Sequence, residues 1–121
     1  MTKKEKLIEN MDITLGSFLN EIHCMEVAIE RMEKRFEGKG GPYLFILEYY
    51  RDMVKFYRLY FTRFTHLRNL AVEAKPTLEV LEMYNDMIED AKNNIFNTSE
   101  YVWSTILEDE DIEDYIEDYD D

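Results

Sequence analysis

The sequence predicts an all-α fold: an antiparallel, up-down-up bundle of three long helices ending in an acidic segment. Three observations carry this reading. Apolar residues recur at helical spacing along most of the chain, and no alternating strand pattern interrupts them. Strong chain-breaking residues cluster at only two places, Gly38-Lys39-Gly40-Gly41-Pro42 and Lys75-Pro76. Connections that short force neighbouring helices to run antiparallel. A chain of 121 residues with 45% hydrophobic content is long enough for one domain that buries roughly two-thirds of its unfolded surface. That domain is expected over residues 1–107, with 108–121 as an acidic amphipathic tail.

The first helix is read from Ile8, Met11, Leu15, Phe18, Ile22, Met25, Ile29, Met32 and Phe36, spaced alternately three and four apart. Such a heptad seam keeps one stripe facing a partner helix. Gly16 falls at an exposed position and costs about 1 kcal/mol relative to Ala, so fraying or a late start is expected there. The second helix has a broader stripe. Leu47, Val54 and Phe61 share one register position, Tyr43, Tyr50, Tyr57 and Phe64 the next. Ile46, Met53, Tyr60, Leu67, Tyr49 and Phe56 widen it to an arc of about 160°. This helix is therefore expected to be central and to touch both others, with aromatic surface left for a homodimer. Arg51, Lys55 and Arg58 fall on its opposite, polar edge.

The third helix begins with Pro76, suited to a first turn. Its seam is Leu81, Tyr84, Ile88, Ala91, Ile95, Thr98, Val102 and Thr105. Asn93-Asn94 and Asn97-Thr98-Ser99 are weak helix formers, so a kink or restart is expected near Ser99.

The formal net charge of −13 is unevenly spread. Residues 40–75 carry six basic and three acidic side chains, whereas 76–107 carry Lys92 against six acids, and the last fourteen residues add ten more. Such a field repels nucleic acid and anionic lipid and attracts basic partners. Within the third helix, Glu79, Glu82, Asp86, Glu89 and Glu100 share one outward edge, with Asp90 beside them. Carboxylates three and four apart lie about 5–6 Å from one another, close to the spacing of phosphates along a strand. An ordinary solvated face interleaves both signs; this one has Lys92 alone.

The tail extends the theme. Glu108, Asp109, Glu110, Asp111, Glu113, Asp114, Glu117 and Asp118 surround Ile112, Tyr115, Ile116 and Tyr119, which stand at i, i+3, i+4 and i+7. A helix would gather those four on one side. The reading is a segment that docks on a partner, carboxylates steering and Tyr115 and Tyr119 anchoring. The alternatives are plain disorder, folding back onto Phe96 and Trp103 at outward positions of the third helix, or meeting Arg51, Lys55 and Arg58.

Other classes find little support. One Cys excludes an intramolecular disulfide framework, and no secretory leader or bilayer-length apolar run is visible, so a cytoplasmic protein is expected. His23, Cys24 and Glu26 offer too few zinc ligands, and the paired Glu-x-x-His motifs of a di-iron bundle do not occur. Gly38-Lys39-Gly40-Gly41 lacks the spacing of a phosphate loop. The row Glu79, Glu82, Asp86 and Glu89 is loosely similar to the Mg²⁺-binding carboxylates of all-α nucleotide pyrophosphohydrolases, which however need acids from two helices facing inward. No cofactor and no catalytic activity are expected.

In size, helical pattern and closing EDEDIEDYIEDYDD, the chain resembles small phage-encoded DNA-mimic proteins of the Ocr type, most strongly over residues 79–121. The resemblance is compositional and assigns no individual residue. It implies inhibition of a host defence or transcription protein by occupying its nucleic-acid-binding site. The expected partner is thus a basic, nucleic-acid-binding protein, met by Glu79, Glu82, Asp86, Glu89, Asp90, Glu100, Trp103 and the tail, with no direct contact to nucleic acid or membrane. The competing reading is a coiled-coil adaptor or assembly protein working through the aromatic stripe of the second helix.

Overall fold

The computed structural model describes the backbone of residues 1–119 and the side chains of residues 1–106. It contains three helices, α1 (Lys3–Arg35), α2 (Gly41–Glu73) and α3 (Leu78–Tyr119). Each boundary has a local cause. Thr2 caps α1 by accepting the Glu5 N–H at 3.1 Å, and Lys34 and Arg35 sit at the negative end of the helix dipole. After Phe36 the chain reverses through Gly38, whose φ of 78° suits a residue without Cβ. Pro42 lies in the first turn of α2. At the next corner the cap is Thr77, whose hydroxyl accepts the Val80 N–H at 3.3 Å. Pro76 therefore lies just outside α3 rather than in its first turn.

The centre of the bundle is α1, which corrects the expectation that α2 holds that place. Met11, Phe18, Ile22 and Met25 of α1 are wholly buried. The wide stripe of α2 is buried along part of its width only, at Leu47, Tyr50, Val54, Phe64 and Ala71. Phe18 shows why. Its ring lies 6.0 Å from Tyr57, 6.3 Å from Phe61 and 6.1 Å from Phe64, so three rings of α2 crowd one side chain of α1. Between α2 and α3 the side-chain hydrogen bonds are few: Tyr57 to Asn94 at 2.8 Å and Thr98 at 2.9 Å, and Tyr50 to Thr105 at 3.4 Å.

The helix α3 is continuous through Ser99, so the expected restart does not occur. Ser99 is buried, and the Thr98 and Thr105 hydroxyls each donate at 3.0 Å to the carbonyl four residues earlier. Asn94 and Thr98, poor helix formers alone, instead bind Tyr57. Packing overrides propensity here, as it commonly does in long tertiary helices. Likewise α1 runs unbroken through Gly16, against the expectation of fraying.

Candidate functional site: an acidic edge and an aromatic face

Helical geometry puts two distinct surfaces on opposite sides of the bundle. On α3, Ile88, Ile95 and Val102 point to the core, so Tyr84, Ala91, Asn94 and Thr98 turn toward α2. The acids fall on the other flank. Glu79, Glu82, Asp86, Asp90 and Glu100 are exposed or nearly so. Among the described residues, no lysine or arginine forms an ion pair with any of them.

Glu89 is different. Its Oε1 accepts from the Asn10 amide at 2.8 Å while the same amide donates to Asn85 at 2.7 Å. This three-residue cluster pins the register of α1 against α3. Glu89, which the sequence placed in the exposed row, is thus partly engaged inside the bundle. Trp103 is half-buried against the core cluster rather than fully outward, and Phe96 remains exposed. The side chains of Glu108, Asp109, Glu110, Asp111, Glu113, Asp114, Tyr115, Glu117, Asp118 and Tyr119 lie outside the described residues.

The cations of α2 explain why the α3 row stays uncompensated. Arg68 grips Asp12 with two bonds of 2.7 and 3.1 Å, Arg58 binds Glu26, and Arg51 binds Glu33 with its Nε at 3.1 Å. The hydrogen bond and charge of Asp12 raise the Arg68 pKa above its ordinary value. Arg51 and Arg58 are therefore held by carboxylates of α1 while staying exposed, and the tail side chains expected as alternative partners lie outside the described residues. Lys55 lies 3.9 Å from Asp52 on its own helix, with both side chains about four-fifths exposed.

The second surface is the side of α2 turned from α1. Phe45 is 72% exposed, Tyr49 57%, Phe56 58% and Leu59 48%. Beside it, a groove of about 530 Å³ between α2 and α3 is lined by Tyr49, Met53, Phe56, Tyr57, Tyr60 and Asn94. Exposed rings in such a row mark interaction sites more often than chance surface. Among the described residues, no three His, Cys, Asp or Glu side chains converge as metal ligands, and no helix is long and apolar enough to cross a membrane. His23 and Cys24 are exposed. Comparison with known protein families, curated proteins and solved structures gives no match to this chain.

Proposed function

We propose that the protein acts without catalysis, by binding a basic, nucleic-acid-handling protein and blocking its phosphate-binding surface with the acidic edge of α3. One observation carries this reading. Glu79, Glu82, Asp86, Asp90 and Glu100 stay accessible and unpaired by lysine or arginine among the described residues, while Arg51, Arg58 and Arg68 of α2 bind acids of α1. A stiff helix holds Glu79, Glu82, Asp86 and Asp90 at near-phosphate spacing with their orientation already fixed, and Glu100 lies about 15 Å further along. A partner's lysines and arginines then meet a preformed anionic row and exchange counterions for it, as they do on a nucleic acid.

The test is competition with nucleic acid. Basic proteins captured from a bacterial lysate are loaded with a fluorescent DNA duplex and challenged with this protein. The wild type is expected to displace the duplex. The variant E82Q/D86N/D90N is expected to need about tenfold more protein, with a shallower salt dependence. Equal displacement by both proteins would remove the α3 edge from the mechanism. A second reading, an assembly protein working through α2, is favoured by the exposed Phe45, Tyr49, Phe56 and Leu59. Moderate salt separates the two, since screening weakens the acidic contact and leaves an apolar one intact.

A further inference from the structure

The helix α2 carries two heptad seams. One faces α1 through Leu47, Tyr50, Val54 and Phe61. The other lies on the opposite side of the same helix, at residues 45, 49, 52, 56, 59, 63, 66 and 70, with spacing alternately four and three. Seven of these eight side chains are exposed, and Leu70 is half-exposed. A sustained spacing of this kind is the signature of a helix that packs along a second helix. Neither α1 nor the described part of α3 occupies this side.

The order of residues along the seam identifies the occupant. When a second α2 is laid antiparallel across it, with the two-fold axis between Phe56 and Leu59, every layer is chemically matched. Phe56 meets Leu59 of the other copy at the centre. Asp52 then meets Arg63, Tyr49 meets His66, and Phe45 meets Leu70. Each layer pairs one heptad core position with the other, as antiparallel packing requires. The flanking row toward α3 agrees, since Ile46 falls near Leu67 and Met53 near Tyr60, all apolar. On the outer flank, Glu48 falls near Asn69 and Lys55 near Thr62, so no like charges oppose.

We infer that the outer seam of α2 is a self-association surface, and that two copies of this chain pair through it as an antiparallel, two-fold symmetric helix pair. Self-complementarity of one patch is what a two-fold interface demands. Charge favours this occupant as well. Residues 40–75 are net positive in a chain of net charge −13, so the pairing surface is the part where two copies repel least. The Asp52–Lys55 contact within one copy is a 3.9 Å pair of exposed groups. Pairs of that type contribute little, so Asp52 can exchange it for Arg63 of the second copy. The acidic edge of α3 stays outside the pairing surface, so self-association does not depend on the function proposed above, and its readout is mass rather than competition with DNA. It gives the assembly reading a specific partner and register.

The experiment is sedimentation equilibrium with charge reversal on the full chain. The wild type is expected at twice the 14.7 kDa chain mass. D52R or R63D alone places two like-charged contacts in the symmetric interface and is expected to weaken association at least ~10-fold. Combining D52R with R63D restores the pairing and is expected to return affinity to within about threefold of wild type. R63D leaves the Asp52–Lys55 contact untouched, which separates an effect between copies from one within a copy. Both positions lie on the surface, and circular dichroism verifies that the variants fold. A wild-type monomer at about 100 µM, single reversals without effect, or a double variant that fails to recover would each overturn the proposal.

Discussion

Gly16 sits inside a continuous helix with open space around it. A Cβ added there meets nothing within 4 Å. The residue therefore keeps its backbone-entropy cost without serving a turn or a close approach. G16A is expected to stabilise the fold by about 1 kcal/mol and to raise the melting temperature by about 4 °C in a circular-dichroism melt. An unchanged or lower melting point would mean that α1 is not fully helical at this position. The cluster of Asn10, Asn85 and Glu89 shows the opposite case, in which single polar residues fix structure. Asn85 is 8% exposed and its Oδ1 accepts from the Asn10 amide. Buried amides with fixed partners tolerate one register of α1 against α3, whereas a purely apolar seam tolerates slippage by a heptad.

At the scale of elements, α1 is joined to its neighbours in two ways. Against α2 it adds a ladder of ion pairs, Asp12–Arg68, Glu26–Arg58 and Glu33–Arg51, outside a ring-filled core. Against the described side chains of α3 it packs aliphatic residues and adds the Asn10 cluster. The α2–α3 contact is thinner, and the Tyr57 hydroxyl is its principal polar link. Y57F removes bonds to both Asn94 and Thr98. Its expected cost is about 1–2 kcal/mol in urea-induced unfolding. A cost near zero would show that water replaces those bonds fully and that α2 and α3 are held only through α1.

For the whole molecule, the balance of charge decides the response to salt. Three solvent-exposed ion pairs contribute roughly 0.2–1 kcal/mol each, and salt weakens them. Opposing this is self-repulsion in a chain of net charge −13, concentrated on α3 and beyond. Repulsion outweighs the ion pairs, so raising sodium chloride from about 20 to 500 mM is expected to increase the melting temperature by a few degrees. A decrease would mean that the α1–α2 ladder dominates the acidic face. The same segregation gives the molecule two candidate working sides: a carboxylate edge for a cationic partner and an aromatic seam suited to a second copy.

The helical class, the two corners and the seams of α1 and α3 were legible in the sequence, because periodicity and chain breakers act locally. Residues such as Met11, Phe18, Ile88 and Ile95 are buried where their spacing placed them. Continuity of α3 through Asn97–Ser99 was not legible, since the bonds that offset its weak propensity come from Tyr57, some forty residues earlier. Nor was the central place of α1. A broad apolar arc on α2 states how much surface seeks burial, not which neighbour arrives to cover it. The acidic edge was visible as composition, but its freedom from compensation depends on where the arginines of α2 reach. Local sequence thus determined which surfaces exist, while tertiary packing decided which are covered, because coverage depends on contacts between residues far apart along the chain.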